Sequence, residues 1–256
     1  MSKTTDEAAK CNRAAWDSFR RQRDEGLSQE RHDSAEDILR GKGFLPREYI
    51  ELAGDVSGKR LLDMGCGEAA ETCEWARLGA EVVGVDNSPK QIEAGRRNAE
   101  KLGVSCRLVV ADLLRLPKEL LKGEFDIVFS RWVTAWIGDK DKWFRDVYRA
   151  LKPGGVFLLG GGHPVTDFVN WREEEDFAAE SYLSEGPFTF ASNTAHDFNP
   201  AGEFLTTVEW AHTLGTMITS PARHGFRITH LVELSPMPEG AAKGLPEEFV
   251  VRAVKE

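Results

Sequence analysis

The chain has 256 residues, 41% hydrophobic and 29% charged, which fits one α/β domain with an insertion and excludes a disordered chain, a collagen-like fibre or a disulfide-dense mini-protein. Its 33 basic and 42 acidic residues leave a net charge of −9, the wrong sign for a protein that grips the nucleic-acid backbone. No apolar run approaches the ~20 residues that span a bilayer, no signal-peptide pattern opens the chain, and the four cysteines form no C-x-x-C pair; a cytoplasmic protein with reduced thiols and no nucleic-acid or membrane partner is expected.

Residues 1–40 are polar. Ala14, Ala15, Trp16 and Phe19 give a weak apolar stripe, which predicts a helix near 6–23 followed by a loop. A helix around 44–54 has Pro46 near its start and Gly54 after its end. From Lys59 strands and helices alternate. Leu61-Leu62 leads into Gly65, and Ala69, Cys73 and Ala76 sit at helical spacing up to Gly79. Val82, Val83 and Val85 form the next strand. Ser88-Pro89-Lys90-Gln91 reads as an N-cap, a proline at the first helical position and a capping-box glutamine, opening a helix that Gly103 stops. Strands follow at 104–110, 124–130 and 155–160. Between the last two, Trp143, Phe144, Val147 and Leu151 mark a helix that Pro153-Gly154-Gly155 ends. Strands separated by such helices form right-handed βαβ units in a doubly wound, mostly parallel α/β sheet, with ligands beyond the carboxyl ends of its strands.

The turn Asp63-Met64-Gly65-Cys66-Gly67-Glu68-Ala69 joins a strand to a helix whose first N–H groups are free. Two cofactors compete for it. Gly65-x-Gly67-x-x-Ala70, with Asp86 lying 21 positions beyond Gly65, satisfies the dinucleotide pattern of an NAD(P)-dependent oxidoreductase. Asp63, two residues before Gly65, would repel a pyrophosphate but not a cofactor carrying an amino group and a sulfonium.

Asp63-Met64-Gly65-Cys66-Gly67, Val83-Gly84-Val85-Asp86, Ala111-Asp112 and Leu151-Lys152-Pro153-Gly154-Gly155 resemble, in order and spacing, the motifs of class I S-adenosylmethionine-dependent methyltransferases. The resemblance covers about residues 58–162. It implies a seven-stranded sheet with helices on both faces and an antiparallel last strand, drawn from the helix near 213–224 and strands near 226–234 and 248–254. One departure is Ala69, where the family usually has a third glycine. The resemblance places Asp63, Gly65, Cys66 and Gly67 around the methionine part and Asp86 on the ribose hydroxyls. Asn87 and Ser88 border the adenine, and Asp112 and Leu113 contact it. Ser130 and Arg131 stand beside the sulfonium and the acceptor, and Trp16 or Arg20 closes over the cofactor. Read from the residues, Cys66 and Cys73 are small packing residues, Trp132 and Trp136 are core or pocket wall, and Arg13, Arg20, Arg21 and Arg23, diluted by Asp17, Asp24 and Glu25, form a solvated face.

Residues 163–210 hold nine of the 24 aromatic residues, with ten acids against one base. The alternation in Phe188–Phe190 and Phe204–Trp210 suggests short strands, and the segment is expected to form a substrate lid whose run Glu173–Asp176 is solvated. His163, just after the fifth strand, and then His212 are the expected general bases. His196 also lies in the insertion, and His224 is expected to end a helix. The organisation expected is a helical cap over 1–57 and a methyltransferase domain over 58–256 with the lid at 163–210. The expected activity is methylation of a small-molecule acceptor at oxygen or nitrogen. The alternatives are an NAD(P)-dependent oxidoreductase and a non-catalytic S-adenosylmethionine-binding module. No feature of the sequence specifies the acceptor or the oligomeric state.

Overall fold

A computed structural model describes residues 3–26, 33–172, 181–191 and 205–256. The chain opens with helices α1 (Lys3–Asp24), α2 (Ser34–Leu39) and α3 (Arg47–Ala53). Then β1 (Arg60–Met64), α4 (Ala70–Arg77), β2 (Glu81–Asp86), α5 (Pro89–Leu102), β3 (Cys106–Val110), β4 (Phe125–Arg131), α6 (Lys140–Ala150) and β5 (Leu151–Gly162) alternate in the expected way. After β5 come α7 (Pro164–Trp171), β6 (Phe188–Ala191), β7 (Thr206–Glu209), α8 (Leu214–Arg223), β8 (Phe226–Pro236) and β9 (Pro246–Lys255).

Seven strands form one sheet in the order β3-β2-β1-β4-β5-β9-β8, and β9 runs antiparallel to both neighbours. The order reverses between β1 and β4, which opens a crevice at their carboxyl ends. Two apolar layers cover the sheet. Leu62, Met64, Val128, Phe157 and Phe249 meet Trp143 and Phe144 on one face. Leu61, Phe129, Leu158 and Val250 meet Tyr49 and Trp75 on the other. An irregularity between Phe125 and Ile127 resets the alternation of β4, so Phe125 joins the first layer and Ile127 the second. β6 and β7 pair as a separate antiparallel ribbon, Phe188 opposite Glu209 and Phe190 opposite Thr207.

Local signals account for most boundaries. Ser88 Oγ accepts the Gln91 amide at 3.1 Å and Pro89 occupies the first turn of α5. The Ser88 amide is taken by Asp86, so the return half of the expected capping box is supplied by an aspartate. Ala69 sits in the left-handed region at φ 60°, where the usual glycine carries no strain. The loop expected after the first helix contains α2, capped by Asp33, whose carboxylate accepts the Glu36 amide at 2.9 Å. β5 begins at Leu151 rather than 155, because α6 ends at Ala150 and the Leu151 segment pairs at once with Phe125.

Candidate functional site

The crevice holds a cavity of about 270 Å³. Four loops wall it: Gly65–Gly67 after β1, Asp86–Ser88 after β2, Asp112–Leu113 after β3 and Arg131–Val133 after β4. Ala9, Asn12, Arg13 and Trp16 of α1 roof it. Polar contacts hold α1 there. Asn87 Nδ2 donates to the Ala9 carbonyl at 3.0 Å, Ser88 Oγ donates to Asp17 at 2.6 Å, and Asn12 exchanges two 2.8 Å hydrogen bonds with the backbone of Val208 on β7. Trp16 meets Trp136 edge to face at 5.5 Å.

Two acidic loop ends face this space. Asp86 accepts the Gly67 amide at 2.9 Å on one oxygen and the Ser88 amide at 2.8 Å on the other. Burial raises its carboxyl, and these amides oppose the shift. Asp112 accepts the Leu114 amide at 2.8 Å. Gly65, at φ +94°, lets the loop pass under Val133; a Cβ there would lie 2.2 Å from Val133 Cγ2. Gly67 has open space where a side chain would be, so a ligand can lie against its backbone. Cys66 lines the cavity, and burial pushes its thiol well up, which suits a packing residue and not a nucleophile.

Several expected residues point elsewhere. Asp63 shares the Leu61 face of β1, toward α4, and Thr72 Oγ1 donates to it at 2.5 Å; it is 2% exposed and outside the cavity lining. Glu71, in the first turn of α4, is the carboxylate that lines the cavity in that region. Ser130 is fully buried and donates to the Met64 carbonyl at 2.7 Å. Arg20 turns away from the cavity to Glu68 and to Asp24 at 2.6 Å, and Arg23 lies 3.5 Å from Glu68, so these two are tied to α1 and the β1–α4 loop and are not a solvated face. The α1 arginine at the cavity is Arg13.

Neither histidine lines the cavity. His163 is the N-cap of α7: its Nδ1 accepts the Val165 amide at 3.3 Å and its Nε2 faces Glu233 at 2.9 Å. His212 donates from Nε2 to the Thr134 carbonyl, and the Lys140 ammonium donates to Nδ1 at 2.8 Å. Burial and the Lys140 charge lower His212 to about 4, so the ring is neutral at pH 7. His224 caps α8 as expected. Phe177, His196, Phe198, Phe204 and the run Glu173–Asp176 lie outside the described residues.

No sequence motif marks the ionic cluster behind the cavity. Arg131 holds Glu248 of β9 through two 2.7 Å hydrogen bonds and Glu71 through a third of 2.6 Å. Tyr49 donates to the same Glu248, and its ring lies 5.5 Å from the guanidinium. Burial pushes Glu71 up to about 7 despite Arg131. Trp132 follows at φ 58°, strained for a non-glycine residue and 46% exposed at the cavity mouth.

Residues 62–159 match the methyltransferase-domain family. A structure of an S-adenosylmethionine-dependent methyltransferase from Mesorhizobium loti superposes with a TM-score of 0.63 at 26% identity, covering 87% of this chain and 98% of that one. The chain contains a class I S-adenosylmethionine-dependent methyltransferase domain. The oxidoreductase alternative is set aside by the same matches. A demethylmenaquinone methyltransferase of Thermus thermophilus is 37% identical over 115 residues, covering 44% of this chain and 51% of that protein. A sterol 4-C-methyltransferase of Caenorhabditis elegans is 32% identical over 114 residues, covering 44% and 33%. The chain thus spans a third to a half of the length of these relatives. A ubiquinone biosynthesis O-methyltransferase of Methylocella silvestris is 28% identical over 206 residues, covering 75% and 74%. Among the described residues, no helix is long and apolar enough to cross a membrane.

Proposed function

We propose that the protein transfers the methyl group of S-adenosylmethionine to a small-molecule acceptor, at oxygen or nitrogen. The observation that carries this is the roofed cavity at the sheet's switch point, with acceptor carboxylates Asp86 and Asp112 and the open backbone of Gly67. That donor and acceptor set fits a nucleoside with a diol and an amino group. It suits a pyrophosphate less: of the two lining arginines, Arg131 is already neutralised by Glu71 and Glu248, and Arg13 is set against three lining carboxylates, Glu71, Asp86 and Asp112. Asp86 would hold the ribose hydroxyls, while Asn87 and Ser88 border the adenine and Asp112 and Leu113 contact it. The Gly65–Gly67 backbone would cradle the methionine part, with Glu71 taking the place expected of Asp63 beside its amino group. Trp16 and Arg13 of α1 would cover it. When bound, the cofactor supplies an electrophilic methyl group on a good leaving group. The chain's own part is alignment and exclusion of water: Trp16 and Trp136 close the roof, and Trp132 stands where the acceptor enters. Residues 1–57 would serve as the helical cap and 163–210 as the substrate lid.

With both histidines committed to hydrogen bonds, neither His163 nor His212 serves as the base. The test is release of S-adenosylhomocysteine on incubation with a panel of small hydroxyl- and amine-bearing molecules, for wild type and His163→Ala. The expected result is turnover in both, with rates within about threefold, because alignment and not His163 carries the step. A fall of ~10²–10⁴ in the variant would restore His163 as base. Cofactor binding without turnover on any acceptor would favour a non-catalytic module.

A further inference from the structure

Two carboxylates lie beyond the end of β5, beside the Trp132–Trp136 segment that walls the cofactor cavity. Asp167, in the first turn of α7, packs against Gly162. A Cβ at Gly162 would fall 2.5 Å from Asp167 Oδ1, so only glycine leaves room for this carboxyl. Glu209, the last residue of β7, is 7% exposed, and one of its oxygens accepts from Thr207 Oγ1 at 3.0 Å. Both positions adjoin the cavity wall. Gly161 lies against the Trp132 backbone, and the Trp210 amide donates to the Ala135 carbonyl at 2.8 Å. The Glu209 charge acts on Asp167, and burial together with that charge pushes Asp167 up to about 7; burial alone takes Glu209 to about 7.

Among the described residues neither carboxylate has a cationic partner. The insertion holds a single base, Arg172, and its guanidinium lies over the Phe168 ring at 5.7 Å. Two acids withdrawn from water without a counter-charge are costly, and a cationic ligand would supply the charge that the described residues do not. The surroundings are aromatic: Phe168 meets Tyr182 at 6.1 Å, and Phe190 of β6, opposite Thr207, is buried on the ribbon face that carries Glu209. Rings and carboxylates together recognise an organic ammonium.

Resting on the methyltransferase reading, we infer that Asp167 and Glu209 bind an ammonium group of the acceptor, so that the substrate is an amine-bearing, partly apolar small molecule. An ammonium has no free lone pair, so this group anchors the acceptor and the methyl group goes to another of its atoms.

The test compares phenethylamine with 2-phenylethanol, a neutral molecule of the same size, on protein saturated with S-adenosylhomocysteine. Binding is read by tryptophan fluorescence in wild type and in the Asp167→Asn/Glu209→Gln double variant. Wild type should bind the amine at least tenfold more tightly, and the variant should show a preference below about twofold. Equal affinities in wild type, no amine binding at ~10 mM, or a preference that survives in the variant would overturn the inference. Because the substitutions remove uncompensated charge, the melting temperature of the variant at pH 8 should equal or exceed that of wild type. A lower value would show that the carboxylates have structural partners, which also overturns it. Failure of wild type to bind S-adenosylhomocysteine at all would sink the methyltransferase reading instead.

Discussion

Asp86→Ala should weaken S-adenosylhomocysteine binding by about 100-fold or more. Its carboxylate already orders the site before any ligand arrives, because one oxygen fixes the Gly67 amide and the other the Ser88 amide. Each oxygen keeps a further lone pair for the cavity. Removal therefore deletes two charge-assisted bonds to ligand, worth roughly 1.5–3 kcal/mol each, and frees the glycine loop as well. Asp86→Asn keeps one acceptor oxygen but sets its NH2 against the Gly67 or the Ser88 amide, so it should recover less than about tenfold of that loss. Titration calorimetry on folded variants reads both values. An unchanged dissociation constant in Asp86→Ala would remove Asp86 from the ligand.

Arg131→Ala should lower the stability of the fold by about 3–5 kcal/mol, because it leaves Glu71 and Glu248 buried without a counter-charge. The guanidinium joins β4 to β9 and α4 at once, and Tyr49 of α3 closes the same cluster. Lysine has the charge but not the fork, so Arg131→Lys should recover less than half of the loss. The sign with pH follows from Glu71, raised to about 7 in the folded protein even with Arg131 present. A raised carboxyl favours the fold when protonated, so its contribution is lost as pH climbs from the ordinary carboxylate range through 7. The deficit of Arg131→Ala should therefore be larger at pH 8 than at pH 5.5. Urea denaturation at the two pH values measures this; a deficit below 1 kcal/mol at both, or one that shrinks with pH, would show the cluster to be solvated.

The cofactor loops were legible because each depends on a short-range signal. Ser88-Pro89 marks a helix start on its own, and Asp86 stands at the end of a β-branched run just before it. The same grammar stood in His163-Pro164, a cap followed by proline, and it placed His163 on a helix amide rather than on a substrate. Asp63 could have been read from parity alone. It alternates with Leu61, and that face of β1 lies under α4. The Arg131–Glu248 pair was beyond such reasoning, since its partners are 117 residues apart and meet only because β9 inserts beside β5. Arg13 and Arg20 are seven residues, about two helical turns, apart on nearly the same face of α1, and only the docking of α1 on Asn87 and Ser88 decides which lies over the cavity.

The cavity beneath α1 is expected to take S-adenosylmethionine. Titration calorimetry of the wild-type protein with S-adenosylhomocysteine, NAD and NADP tests it most directly. The predicted result is saturable one-to-one binding of S-adenosylhomocysteine with no measurable heat from either dinucleotide. Binding of NAD or NADP with silence toward S-adenosylhomocysteine would contradict it.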